Sequence, residues 1–305
     1  MKIVETTNAV ENLNIENINK SPSGVSIIWR EIMRDKLALI SLVFLLLVTT
    51  LVYGISLFLD LDQIVKIDLF AIHEPPSSDF WLGTDYGGRD VFGQLIIGTR
   101  NSLTIGFLVT LMTGLIGVTF GLTAGFFGGH IDNIMMRVLD FFIILPFLMI
   151  VIVFVSIVPN YSIISFSLIM TAFLWMGIAR LIRSKALQER ELDYAQASKT
   201  LGTPRWKIMF GQVLPNVSSL IIVTMTLNLA ANIGLESGLS FLGFGFPEET
   251  PSLGTLLSYA RNPQTLENRW WIWMPAAILI FLLMLSVRNV GEALKRATDA
   301  RQRRG

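Results

Sequence analysis

The sequence predicts an all-α polytopic membrane protein with six transmembrane helices. Three observations lead there. Hydrophobic residues make up 52% of the 305 residues and charged ones only 15%, against roughly 25% charge in an ordinary soluble domain. The apolar residues are gathered into long runs, several of which reach the ~20 residues a helix needs to cross hydrocarbon. Lysine and arginine are unevenly placed: under a six-span topology 19 of the 24 fall on the side of the two tails, and five in the long loops opposite. By the positive-inside rule the side holding both termini is cytoplasmic.

Composition also excludes. A net charge of +1 gives no reason to expect nucleic acid. Cysteine is absent, which removes disulfides and thiolate metal sites, and His73 and His130 are the only imidazoles, too few for a histidine-rich metal centre. No GxxxxGK followed by Ser or Thr occurs, so the chain does not itself cradle ATP phosphates. Ser240, in Gly238-Leu-Ser240, would need a base to act as a nucleophile, and neither histidine falls in a predicted span.

In chain order, residues 1–36 are expected to form a cytoplasmic tail, disordered to residue 26, then an amphipathic lead-in with Arg30, Arg34 and Lys36 beside the membrane. Residues 37–59 are an uninterrupted apolar run and the first span. Residues 60–100 are a polar extracytoplasmic loop containing Phe80-Trp-Leu-Gly-Thr-Asp-Tyr-Gly-Gly-Arg-Asp-Val-Phe92. There Gly83, Gly87 and Gly88 permit tight turns, while Asp85, Arg89 and Asp90 can pair and cap a helix starting near Asp90. This cluster reads either as turn and cap alone or as a ligand site.

Residues 101–290 form the core, with five further spans. Leu103–Phe127 groups Gly114, Gly117 and Gly121 where a neighbouring helix can pack close. After a turn at Gly128–Asn133, Ile134–Val158 carries Pro146 in its middle and Arg137 three residues before Asp140, an expected local ion pair. A tight turn at Pro159–Tyr161 leads to Ser162–Ile182. Val217–Ala231 enters the bilayer, and the glycine-rich stretch Asn232–Gly245, with its polar centre, is expected to be broken or re-entrant. Glu248–Trp270 is an outer polar loop, Trp270, Trp271 and Trp273 mark an interface, and Trp273–Val287 is the last span. Residues 291–305 are a basic cytoplasmic tail.

Asn228, Asn232, Glu236 and Ser240 are the pathway or gate candidates, because polar groups at membrane depth usually face the bundle interior. Glu236 is expected to satisfy backbone freed by the broken segment. Asp140 and Glu236 could instead be a proton relay, the reading a stand-alone secondary transporter would require; that class also calls for inverted repeats, which the sequence lacks.

Between two apolar segments lies the polar stretch 183–216. A helix over Leu187–Leu201 puts Tyr194, Ala197, Ser198 and Leu201 on one face; Gly202 offers a C-cap, Thr203 an N-cap and Pro204 the first residue of a second short helix. Trp206, Met209 and Val213 continue an apolar stripe. The stretch is either a docking element or an amphipathic connector.

Here the sequence resembles a known family. Gln196-Ala197-Ser198, Gly202 and Leu214-Pro215 are similar to the "EAA" loop of binding-protein-dependent ABC importer permeases, with Gln196 for the usual glutamate and Ser198 for the second alanine. The Phe80–Phe92 stretch, followed by Gly98-Thr-Arg-Asn-Ser-Leu103, resembles the "GTDxxGRDVF…GxRxSL" pattern of the C-type permease of oligopeptide, dipeptide and nickel importers. Leu239-Ser-Phe-Leu-Gly-Phe-Gly245, Pro251-Ser-Leu-Gly254 and Asn289-Val-Gly-Glu-Ala-Leu294 extend the likeness over nearly all of the chain after Leu37. The resemblance implies a type I ABC importer permease fold, with Tyr194, Gln196, Ala197, Ser198, Leu201, Gly202, Leu214 and Pro215 coupling to an ATPase. It makes Gly83, Asp85, Arg89 and Asp90 an extracytoplasmic signature. It implies a heterodimer with a second homologous permease, two cytoplasmic ATPase subunits that bind the ATP and magnesium, and an extracytoplasmic binding protein. No cofactor is expected in this chain. The cargo implied is peptide, with nickel as the alternative.

Overall fold

The structure, a computed structural model, describes residues 24–158, 161–247 and 249–302. The expected disordered tail falls largely outside them, as do most of the Pro159–Tyr161 turn, Glu248 at the start of the outer loop and the last arginines. Among the described residues the secondary structure is helical apart from one isolated bridge between Thr84 and Asp90.

Helix α1 (Gly24–Arg34) is the amphipathic lead-in: Ile32 is buried with Ala38 and Ala293, while Trp29 and Met33 are exposed. Asp35 caps α2 (Lys36–Ser56) by accepting from the Leu37 and Ala38 amides. Leu37, Ile40, Val43, Leu46, Leu47 and Leu51 of α2 are all exposed, which suits a helix whose outer side is solvated by lipid. A single turn, α3 (Leu61–Ile64), begins the outer loop.

Helix α4 (Val91–Phe127) starts where the sequence places a cap: Asp90 accepts from the amides of Phe92 and Gly93. It runs 37 residues, twelve residues earlier than the predicted span, because its first turns stand in the outer loop. Its glycines work as expected. A methyl group on Gly117 would sit 2.8 Å from the Trp175 carbonyl, on Gly121 it would strike that of Ala179, and on Gly125 it would sit 2.5 Å from that of Arg183. The residues crossed belong to α7 (Ile163–Glu189), and only small residues let the two backbones approach this closely. Gly114 faces Met225 instead.

The predicted Ile134–Val158 span is two helices, α5 (Gly129–Ile144) and α6 (Phe147–Ile157), bent by 67° at Leu145 and Pro146. Proline lacks an amide hydrogen and clashes with the preceding turn, so the helix breaks there instead of merely kinking. Helix α5 also begins inside the expected Gly128–Asn133 turn. The expected pairing of Arg137 with Asp140 does not form; Asp140 reaches across to Arg180 of α7, and Asp132 receives two hydrogen bonds from Arg183. Partners on a neighbouring helix replace the one a turn away.

After α7 come two short helices, α8 (Asp193–Thr200) and α9 (Arg205–Ile208), the latter passing through a π-helical turn (Met209–Val213) into α10 (Leu214–Phe241). Helix α10 corrects the expected broken segment: it is continuous through Asn232–Phe241, and the break falls later, at Gly243 with φ of +90°. There the Gly243 amide donates to Ser240 and the Phe244 amide to Leu239, the paired bonds of a glycine-terminated helix. The polar centre needs no irregular backbone because other helices supply its partners. Helices α11 (Leu253–Ser258) and α12 (Pro263–Asn268) occupy the outer loop, and α13 (Trp270–Gln302) returns across the membrane.

Among the described residues five helices are long and apolar enough to span a bilayer, and the bent α5–α6 pair, taken as one span, makes a sixth. The expected all-α, six-span fold is therefore the one observed. The core lies in separate pieces along the bundle. One sits where α4, α7 and the short helices meet (Leu122, Ile182, Ala195, Met209, Val213); another joins α2, α4, α11 and α13 (Val48, Ile96, Leu253, Leu283).

Candidate functional site

Three polar or exposed features occupy the positions that the sequence singles out, one at each end of the bundle and one within it.

The first is the turn between α7 and α10. Instead of one helix over Leu187–Leu201, α7 stops at Glu189 and α8 restarts at Asp193. The interruption lets Ala195 swing into the core beside Ile208 and Met209. Gln196 compensates: its Nε2 donates to the Arg190 carbonyl at 2.9 Å, one of the acceptors a helix end leaves open. The Tyr194 hydroxyl donates to Glu189 at 2.9 Å, and Gln212 donates to the Ser198 hydroxyl at 2.8 Å, tying α8 to the start of α10.

Gly202 has φ of +77°, and the amides of Gly202 and Thr203 close onto the carbonyls of Lys199 and Ser198. This left-handed turn favours glycine. Pro204, expected as the first residue of the next helix, is its N-cap, one residue earlier in role. The predicted single face is divided. Tyr194 packs on the core and Ser198 is held by Gln212, whereas Ala197 and Leu201 are exposed, Leu201 at 85%. The Trp206 stripe also splits, for Met209 and Val213 are buried and Trp206 is exposed, stacked near Phe210. Leu214 is half-buried and Pro215 exposed at the start of α10.

The second feature is inside the bundle. Glu236 is fully buried; it accepts from Ser102 of α4 at 2.8 Å, from Ser240 at 2.9 Å and, at 3.4 Å, from Ser237. Ser102 also accepts from the Leu253 amide at 3.1 Å, and Asn101 donates to the Pro251 carbonyl at 2.8 Å. The carboxyl group thus joins α4, α10 and α11 and, contrary to expectation, satisfies hydroxyls instead of freed backbone. Asn232, one turn away, donates to Thr110 at 2.9 Å. Asn228 is apart from this group, bonded to Thr224 in its own helix. Ser102, 134 residues from Glu236, is the member that reading α10 alone misses; its signal was its place in the Gly98–Leu103 stretch.

The third is the outer collar. Asp85 is buried; it accepts from the Gly87 and Arg89 amides, from the Arg89 guanidinium at 2.8 Å and from Gln94 at 3.0 Å. Gly83 (φ +65°) and Gly88 (φ +73°) turn the chain, and a side chain on Gly88 would strike the Asp68 carbonyl. Thr84 bonds the Ala71 carbonyl and accepts from the Glu74 amide. Of the four expected signature residues, Gly83, Asp85 and Asp90 make their turn and cap bonds within this loop, while Arg89 also donates to the Tyr259 hydroxyl at 3.2 Å.

Long apolar helices joined by a braced turn at one end and a self-bonded loop at the other define a polytopic membrane bundle. Residues 117–300 match the family of binding-protein-dependent transport system inner membrane components, and the chain belongs to that family of ABC importer permeases. It is therefore a multi-pass membrane component of a transport system, not an enzyme. It is 46% identical over 283 residues to the oligopeptide transport system permease protein OppC of Lactococcus lactis subsp. cremoris, covering 92% of this chain and 96% of that one. It is 38% identical to the dipeptide transport system permease protein DppC of Bacillus subtilis (90% and 85% covered) and 34% identical to the oligopeptide transport system permease protein AmiD of Streptococcus pneumoniae (91% and 90%).

Proposed function

We propose that this chain is one of two permease subunits of an ATP-driven importer for oligopeptides or dipeptides, forming half of the translocation path. The names carried by its full-length relatives support the cargo. The mechanism rests on one observation: Leu201, Trp206 and Phe210 lie exposed around the Gly202 turn, on a rigid scaffold beneath them. Burying such a face is worth roughly 25 cal/mol per Å², and a partner ATPase subunit supplies the cover. The lysine and arginine distribution supports a cytoplasmic location for this turn and both termini.

In this reading a second homologous permease completes the path, two cytoplasmic ATPase subunits hold ATP and magnesium, and an extracytoplasmic binding protein delivers peptide to the collar. Closure of the ATPase pair moves the turn, and α7 and α10, which enter and leave it, carry the motion into the bundle. Ala197 and Gly202 allow the close approach; Tyr194, Gln196 and Ser198 hold the turn's shape. Glu236 and Asn232 tie α10 to α4, and through Ser102 to α11, with Ser240 completing the Glu236 cluster.

The test is to purify the complex through this chain from its native membrane in mild detergent and identify its members by mass spectrometry. Two ATPase chains and a second permease are the expected result. Recovery of this chain alone or as a homo-oligomer, with transport insensitive to ATP, would overturn the reading.

A further inference from the structure

Beside the collar lies a cavity of about 420 Å³, lined among others by His73, Tyr86, Tyr259, Arg261, Asn262 and Arg269. That volume is within the range of small-molecule sites. Its charge is one-sided. Among the described residues no carboxylate lies within 4.0 Å of Arg261 or Arg269. Asp85, whose charge is felt at His73, is buried and committed to Arg89 and Gln94.

Arg269 is oriented without being neutralised. Its guanidinium stands 3.0 Å from Nε2 of His73 and donates to it, which leaves the His73 proton on Nδ1. Burial first, then the Arg269 charge, hold the His73 imidazole below its ordinary pKa, with Asp85 opposing; it is therefore neutral at neutral pH and serves as an acceptor. His73 keeps a left-handed backbone, φ +57°, with its amide bonded to the Asp85 carbonyl, so the imidazole is pinned to the collar. Tyr86 and Tyr259 meet edge to face at 5.4 Å and form an aromatic wall, and Ile272 is buried at the cavity lining. A charged end with two guanidinium forks beside an aromatic wall matches a carboxylate that carries an apolar or neutral side chain next to it.

We propose that this cavity receives the C-terminal carboxylate of a short peptide before it enters the translocation path, with Arg261 and Arg269 as the carboxylate ligands. The proposal rests on the peptide-importer reading above. A concave, ligand-sized space favours the free peptide terminus over a flat protein contact.

The experiment is saturation-transfer NMR on the detergent-purified importer complex without its binding protein, using trialanine, trialanine amide and glycerol 3-phosphate as probes. Trialanine is expected to give a signal at least fivefold larger than its amide. The Arg261→Gln/Arg269→Gln variant should reduce the trialanine signal to the amide level, and Arg261→Lys/Arg269→Lys should keep part of it. Arg261→Gln alone, at an exposed position, gives an intermediate loss and a variant whose folding is not in question. Equal signals from amide and acid, or wild-type trialanine binding in the double Gln variant, overturn the proposal. So does displacement of trialanine by glycerol 3-phosphate with no discrimination between acid and amide, which would make the cavity a lipid-headgroup site. Peptide uptake by the wild-type complex reconstituted with its binding protein separates the two levels: uptake present with the NMR result negative removes the receiving site alone, and uptake absent removes the peptide reading with it.

Discussion

The two ends of this molecule are built on opposite principles. At the collar, polar groups close onto one another: Asp85 accepts from two amides, Arg89 and Gln94, and carbonyls of the loop are taken up by the Thr84 hydroxyl and the Gly83 and Gly88 amides. At the α8–α9 turn, the polar bonds fix only the inner side, while Leu201, Trp206 and Phe210 stay uncovered. A closed end is finished within one chain. An end with a braced inner side and bare apolar tips is, under the proposed reading, half of a contact. Both stretches look equally polar in composition, so the distinction lies in where their bonds point.

That contrast can be broken by mutation. Asp85→Ala should have the largest effect on the folded state, because it strands Arg89, 4% exposed, without its carboxylate. Losing one partner of a buried pair costs about 3–5 kcal/mol, and a strong drop in melting temperature and yield of the purified complex is expected. A variant with unchanged melting would mean that the collar is not self-supporting. Gly121→Leu should come next: its side chain would meet the Ala179 carbonyl at the α4–α7 crossing, and overpacking of this kind costs about 1–3 kcal/mol. Assembly with the rest of the complex is the readout.

Leu201→Asp should leave melting unchanged, since the residue is 85% exposed, yet lower peptide uptake about tenfold, equivalent to ~1.4 kcal/mol of lost coupling. Gly202→Val should act in the same direction by straining the positive φ, uncoupling ATP hydrolysis from uptake in an inserted complex. Normal uptake in both would make the turn a plain connector. Gln212→Ala is the smallest, about 1 kcal/mol for one hydrogen bond to Ser198, visible as a slight loss of thermal stability with uptake reduced less than by Leu201→Asp.

What the sequence makes legible follows from the range of the interaction. Cap and turn chemistry acts over two to four residues, and Asp90, Gly202 and the Asp85–Arg89 pair are found where the sequence places them. The glycines of α4 are readable in part: of the grouped Gly114, Gly117 and Gly121, the last two meet α7, Gly125 joins them one turn on, and Gly114 faces Met225 of α10. Long-range partners are not. A glycine-rich stretch with a glutamate at its centre looks like a break when Ser102 and the Leu253 segment cannot be seen beside it. Pro146 is the true breaker, and it stands in a run whose apolar pattern continues on both sides of it. Sequence spacing likewise pairs Asp140 with Arg137 on its own helix, whereas its partner, Arg180, is on α7.

The π-helical turn at Met209–Val213 has a mechanical consequence. It joins α9 to α10 without interruption, so Arg205–Phe241 forms a single helical arm of 37 residues. At 1.5 Å per residue the arm is about 55 Å long. A tilt of about 5° applied near Trp206 would displace the far end by roughly 5 Å, where Glu236 holds Ser102. The extra residue in that turn sets the rotational phase between the two ends: under the proposed coupling it would determine which side of the arm receives a push, and hence the direction in which the serine–glutamate knot is pulled.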